Sequence, residues 1–531
     1  MSEKRLGVML DCSRNAVYSV KAVKRLMDYM VKMGYNMLML YTEDTYEVDG
    51  HPLFGYMRGR YSTQELTELV QYGEEKGIEM IPCIQTLAHV NQLFKYRWSP
   101  YQEIRDCYDI MLIDDEKTYE LIEAMVKTLR KSFKTDVLHI GMDEAMMVGR
   151  GKYLDQHGWQ NRFDLLYRHL LRVKAICEKY GFTPIMWSDM FFRLANQHDY
   201  YTENPDLITD EIVASLPENI GLVYWDYYHT GKSIYDSMLT AHNKFGAPVW
   251  FGGGAWVWTG FTPHNGFSIE TIKPAMVSCR EHGVENVFFT CWGDDSGEGT
   301  VFSVLPSLYY AAELYRGNDD EASIKQGFAD IFGIAFDDFM KLDLPSSYTD
   351  TERLSTQSPD KMLLYRDIFL PVACREMPTD GSANVQYAAY RDALLPFASS
   401  EEFGYLFRSA AALCDVVATK ACLTEKVREA YAAKDMVGLK AVAEDLLKAE
   451  EKVEVFYQAH RTCWFTEKKG HGFDVQDIRL GGLKMRLRDC RERLEAYIRG
   501  EIATIEELEE TVVPLDIPFG CFWSSITPNI I

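Results

Sequence analysis

Two acidic residues stand side by side at Asp143-Glu144, directly behind the run Leu138-His139-Ile140-Gly141-Met142. Paired carboxylates can carry protons to and from a reacting oxygen. A conventional pair working on one glycosidic bond comes from separate strands, with the carboxyl groups roughly 5 Å apart. Consecutive residues cannot easily face each other across such a bond. A consecutive pair therefore points to a division of labour: one acid protonates the leaving oxygen, and the other handles a group beside the reacting carbon. Aromatic residues give a second signal. Trp187, Trp225, Trp256 with Trp258, and Trp292 follow four successive apolar runs, and aromatic rings stack on the apolar C–H faces of sugars.

These residues need elements to hold them. Short apolar runs recur at 6–10, 37–41, 78–84, 137–140, 184–187, 221–225, 248–251 and 287–291, each the length of a buried parallel strand. Helical periodicity fills most of the gaps, at 17–33, 63–76, 118–133, 164–180 and 269–282, and Gly34, Gly77, Gly181 and Gly283 follow four of the helices, as C-terminal caps do. Eight strands alternating with helices predict an α/β fold, a (β/α)8 TIM barrel, with the polar and aromatic residues on its C-terminal face. From about residue 320 the strand signals stop and long helical patterns take over at 384–395, 401–431, 437–461 and 475–498, which predicts an all-α C-terminal domain. The expected organisation is a catalytic barrel over 1–318 and a helical domain over 319–531, joined through a polar stretch at 341–359. Glycines at 472, 481 and 482 are odd for a bundle helix and suggest close packing there, with the barrel as one candidate partner.

The chain has 531 residues, 47% of them hydrophobic, and a formal charge of −23. That balance is ordinary for a globular protein and argues against nucleic acid or an anionic membrane as partner. The 12 cysteines mostly stand alone in apolar runs without metal-ligand spacing, which fits free thiols in a reducing compartment. The apolar stretch at 6–10 is too short for a secretory leader, and no stretch approaches a membrane span, so a cytoplasmic location is expected.

The run His139-Ile140-Gly141-Met142-Asp143-Glu144 resembles the His-x-Gly-Gly-Asp-Glu motif of glycoside hydrolase family 20, the β-N-acetylhexosaminidases, with Met142 where Gly is usual. The resemblance implies a retaining exo-enzyme that removes terminal GlcNAc or GalNAc from β-glycosides by substrate-assisted catalysis through an oxazolinium intermediate. It makes Glu144 the general acid/base and Asp143 the residue that orients the 2-acetamido group. It makes Arg14 the grip on sugar hydroxyls and implies a relay Asp44–His89–Glu144. It casts Trp187, Trp256 and Trp292 as walls of the acetamido pocket, Tyr227 or Tyr228 as the hydroxyl that bonds the acetamido oxygen, and Asp294 as a further sugar ligand. Where the family carries Gly-Trp-Arg after the strand-two acids, this chain reads Thr45-Tyr46-Glu47. No β-sheet domain is expected ahead of a barrel that starts at Leu6. A barrel followed by a helical domain is similar to the smaller cytosolic branch that includes hexosaminidase D.

The expected partner is an oligosaccharide or glycoconjugate with a terminal β-linked N-acetylhexosamine, with no cofactor and no metal. A homodimer is also considered, since a second chain could close an open barrel end. Two other readings compete. Asp143, Glu144, Asp189, Asp226 and Asp294, with His89 and His229, could hold a divalent metal in a metal-dependent barrel enzyme. A non-catalytic sugar-binding protein would need the acid to be lost, yet Glu144 is present.

Overall fold

The computed structural model describes residues 4–196, 199–348, 356–374, 377–515 and 523–526. Eight parallel strands close into a barrel: β1 (Arg5–Asp11), β2 (Met37–Tyr41), β3 (Glu79–Cys83), β4 (Val137–His139), β5 (Thr183–Trp187), β6 (Gly221–Trp225), β7 (Val249–Gly254) and β8 (Asn286–Cys291). Each falls on one of the predicted apolar runs. β8 pairs back onto β1, with Val8 opposite Phe289 on one side and Leu38 on the other.

The crossover helices follow the local signals. α1 (Val20–Met33) starts where the Ser19 side chain accepts from the Ala22 N–H and ends at Gly34, φ 84°. α2 (Thr63–Lys76) carries the reciprocal Ser62/Glu65 capping box, which satisfies two N-terminal donors at once. α3 (Glu116–Leu129) and α4 (Arg162–Lys179) bury one stripe each. Inside the barrel, Gly252 on β7 leaves room for large rings. A Cβ there would stand 3.3 Å from Trp187 and 3.2 Å from Phe288.

The chain forms two compact units that interleave along the sequence. The first takes the chain up to Ala255 with Ser268–Trp292 and Ser307–Ile324; the second takes Trp256–Phe267, Gly293–Pro306 and the chain from Lys325 onward. A single cut, at 318 or elsewhere, does not separate them. The loops that follow β7 and β8 are therefore parts of the second unit.

That unit is helical: α5 (Pro359–Tyr365), α6 (Ser382–Leu394), α7 (Gly404–Lys420), α8 (Leu423–Ala432), α9 (Met436–Glu467) and α10 (Phe473–Ile498). α9 packs on α7, α8 and α10. The single helix expected over 401–431 is two, because the chain breaks at Ala421-Cys422 and buries Leu423, Val427 and Tyr431 from a separate segment. A buried ion cluster ties the loop after β8 to the helices of its unit. Lys361 contacts both Asp295 and Glu298, and Arg479 bonds Glu298 at 2.7 Å and Asp295 at 3.0 Å. The close packing expected at Gly481-Gly482 is absent: a Cβ on either would meet nothing within 4 Å.

Candidate active site

Glu144 and Asp143 leave β4 through a backbone that few side chains tolerate. Gly141, Met142 and Glu144 have φ of 72°, 70° and 53°. Such left-handed positions cost non-glycine residues of order 1–3 kcal/mol and cluster at functional sites. Gly141 has no alternative here, since a Cβ would lie 2.1 Å from Gln85 Oε1. Glu43 and His89, at the ends of β2 and β3, share the same conformation, with φ 44° and 56°.

A continuous polar chain crosses the strand ends. Arg14 Nη2 lies 3.5 Å from Glu43 Oε1. The Tyr41 hydroxyl donates to Glu43 Oε1 at 3.0 Å and receives Gln85 Nε2 at 3.0 Å. Gln85 Nε2 also donates to Asp143 Oδ1 at 2.7 Å, and Gln85 Oε1 accepts the Met142 N–H at 3.2 Å. One amide thus fixes both the carboxylate and the peptide before it.

His89 Nε2 sits 3.1 Å from Asp143 Oδ2 and 3.5 Å from Glu144 Oε2. The nitrogen is off the line of a good hydrogen bond, so the contact is mainly electrostatic. Burial alone would depress the imidazole, but Asp143 and Glu144 outweigh it and hold His89 well above the ordinary histidine range. Burial works against the Asp143 charge too, yet His89 and Gln85 keep that carboxyl below its usual value. The result is an ionised Asp143 against a cationic His89.

Glu144 is the more open of the pair, its side chain 43% exposed against 14% for Asp143. Its Oε1 lies 3.3 Å from Arg193 Nη2. Asp189, the first residue of the short helix after β5, accepts both the Glu144 N–H and Arg193 Nε at 3.0 Å. Burial, then the nearby Asp143 charge, pushes Asp189 up to about 7.

The expected relay does not form with Asp44. Arg58 holds that carboxylate at 3.0 and 3.2 Å while also reaching Asn15 and the Ser13 carbonyl. The left-handed turn at Glu43 directs the neighbouring acid toward Arg14 instead. Sequence reading missed Glu43, Gln85, Arg193 and Arg58. A neutral amide behind an apolar run carries no motif, and Arg58 lies fourteen residues from the acid it binds.

The aromatics divide. Trp187 is buried, its ring 4.6 Å from His139, 5.9 Å from Phe288 and 6.1 Å from Trp292. Its Nε1 and His139 Nε2 make no hydrogen bond. Trp292 meets Tyr41 edge-on at 4.7 Å. The Tyr227 hydroxyl is hydrogen-bonded by the Trp292 and Thr290 side chains. Tyr227 is buried and Tyr228 is half exposed. Trp256 and Asp294 belong to the second unit. There Trp256 stacks on Trp258 at 4.1 Å, and Asp294 is exposed. Asp226 binds the Tyr224 hydroxyl and His229 Nδ1.

Residues 5–229 match the model of the glycosyl hydrolase family 20 catalytic domain, and residues 337–520 match that of the glycoside hydrolase 20C C-terminal domain. The chain belongs to glycoside hydrolase family 20. The catalytic match spans β1 to β6 and includes every member of the polar chain from Arg14 to Glu144. Among curated relatives of this family 20 chain, human hexosaminidase D is 25% identical over 57% of this chain and 64% of its own length. Bovine hexosaminidase D is 24% identical over 37% and 55%, and the Entamoeba histolytica beta-hexosaminidase subunit beta 24% over 35% and 38%. The chain thus spans less than two thirds of these relatives. A Vibrio harveyi exo β-N-acetylglucosaminidase solved with N-acetylglucosamine aligns with TM-score 0.48 at 15% identity, covering 63% of this chain and 58% of that one. Among the described residues, no three His, Cys, Asp or Glu side chains stand together as a metal site would require, and no helix is long and apolar enough to cross a membrane.

Proposed function

We propose that this family 20 chain is a retaining exo-β-N-acetylhexosaminidase acting on oligosaccharides or glycoconjugates with a terminal β-linked GlcNAc or GalNAc. The observation that carries the reading is the convergence of Asp143 and Glu144 on one imidazole nitrogen. Two carboxylates on the same side of the site cannot serve as acid and opposed nucleophile, so the nucleophile comes from the substrate.

In the first step Glu144 gives its proton to the glycosidic oxygen as the acetamido carbonyl oxygen attacks the anomeric carbon. The C–O bond to the leaving group breaks, and an oxazolinium forms. Asp143 accepts the acetamido N–H and stabilises the positive charge that develops there, as a fixed, ionised acceptor can. In the second step Glu144 takes a proton from water, whose oxygen bonds the anomeric carbon, and the ring opens to the acetamide with retained configuration.

Arg14, held by Glu43, binds sugar hydroxyls with a fork of donors. Trp187 and Trp292 line the acetamido pocket. Tyr227 is preferred to Tyr228 as the donor to the acetamido oxygen, because it is buried beside Trp292. For Trp256 and Asp294 a role as sugar contacts is proposed on the resemblance of the sequence to the family alone. His89 positions Asp143 and Glu144, and Glu43 holds Arg14. A cytoplasmic setting fits the cysteines, ten of the eleven described ones being buried.

The test is hydrolysis of a chromogenic β-GlcNAc glycoside. It should be abolished in Glu144→Gln, blocked by a thiazoline analogue of GlcNAc and unaffected by exhaustive chelation. Rapid turnover of β-glucosides, which lack the acetamido group, would defeat the mechanism.

A further inference from the structure

The helical unit contains a cavity of about 500 Å³, within the ~300–1,000 Å³ range of small-molecule sites. α10 forms one wall with Ile478, Gly482 and Arg486. These residues are four apart and so lie on one stripe of the helix. Arg366 follows α5, and Lys420 ends α7.

The charges around this cavity are unevenly matched. Asp367 is gripped by Arg486 at 2.7 and 3.1 Å, and Glu507 by Arg493 at 2.6 and 2.7 Å. Arg479 is committed to Asp295 and Glu298. Arg366 is buried and donates Nη2 to Glu425 at 2.6 Å, but its Nε and Nη1 have no partner. Lys420 Nζ donates to two neutral carbonyls, of Leu363 and Arg366. Buried cationic donors left without acceptors are costly. Burial and the Arg366 charge pull Lys420 down to about 7, so an arriving anion would recharge it.

Gly481 and Gly482 supply the second observation. Glycine is disfavoured in the middle of a helix, and α10 runs 26 residues through both. A Cβ at either would meet nothing within 4 Å, and Gly482 lines the cavity while remaining exposed. Gly482 leaves its stretch of the cavity wall without a side chain, and neither glycine serves close packing.

We propose that this cavity binds a small organic anion, its phosphate or carboxylate head on Arg366 and Lys420 and its body against Ile368, Ile478, Leu483 and Trp523. The site is built wholly from the second unit and does not depend on the reading of Asp143 and Glu144.

Calorimetric titration of the full chain with glucose 6-phosphate, glucuronate, inorganic phosphate and glucose tests it. Glucose 6-phosphate or glucuronate should bind saturably, and which of them does so identifies the head group. Glucose should not bind. Gly482→Leu favours the helix yet places a side chain on the cavity wall, so it should melt no lower than the parent while binding at least tenfold more weakly. Arg366→Met should lose binding as well. The proposal is overturned if neither organic anion binds, if inorganic phosphate alone binds, if glucose binds as well as its phosphate, or if Gly482→Leu binds like the parent.

Discussion

Replacing Gln85 with leucine keeps the volume of the side chain and removes three hydrogen bonds. The bond to Asp143 Oδ1, 2.7 Å long, goes to a charged acceptor, a class worth roughly 1.5–3 kcal/mol. The buried Met142 N–H loses its acceptor, at about 1–3 kcal/mol in stability. If the Asp143 bond is fully expressed in the transition state, kcat falls about ten- to hundredfold, since ~1.4 kcal/mol is one decade. Asp143 also loses one of the bonds that hold its carboxyl down, so the acid limb of the rate profile moves to higher pH. The assay is steady-state hydrolysis of a chromogenic β-GlcNAc glycoside between pH 3 and 8, on protein shown by circular dichroism to be folded. A kcat within twofold of the parent with an unmoved acid limb would refute the role of Gln85.

Four further expectations are open to direct measurement. Asp189 is raised to about 7 from an unfolded value near 3.9, so the folded state holds a proton that the unfolded chain releases between those values. Stability therefore drops as pH rises from about 4 to 7 and is level above. The Tm advantage of Asp189→Asn over the parent should widen across that window, and a constant difference would contradict the assignment. The His89–Asp143 pair carries opposite signs: Asp143 contributes stability lost as pH falls through its depressed value, His89 stability lost as pH rises through its raised one. His89→Gln removes the charge that holds the Asp143 carboxyl down, so it should move the acid limb of kcat to higher pH, and an unmoved acid limb would count against it. Met142→Gly relieves a left-handed φ worth ~1–2 kcal/mol but empties a fully buried side chain worth ~2–5 kcal/mol, so chemical denaturation should show net destabilisation. Lys361→Met leaves Asp295 and Glu298 with Arg479 as partner and should cost about 3–5 kcal/mol, read as a lowered melting midpoint.

The barrel was legible because each strand is a short apolar run, and a strand buried on both faces has little else it can be. The doublet Asp143-Glu144 was legible for the same reason, as charge placed immediately after burial. Which acid of Glu43-Asp44 faces the site was not, since one left-handed turn exchanges the directions of neighbouring side chains. Gln85 was hidden because a neutral amide draws its importance from three partners far away in sequence. The helix expected over 401–431 fails at Ala421-Cys422, where periodicity continues through a break that tertiary burial dictates. The glycines of α10 were recognised as unusual and given the wrong reason, because the absence of a side chain looks the same in sequence whether it permits contact or preserves space.

The loops after β7 and β8 count among the second unit's own parts. Within it Thr259 meets Ser358, Asn265 bonds Asp343, Thr300 reaches Glu467 and Glu298 meets Lys361. A gene ending at codon 318 would encode eight strands but leave two of those loops without the residues that shape them. Recombination at that point would not deliver a barrel ready for a new companion. Any barrel cut there and joined to a different partner would need those two loops rebuilt as well.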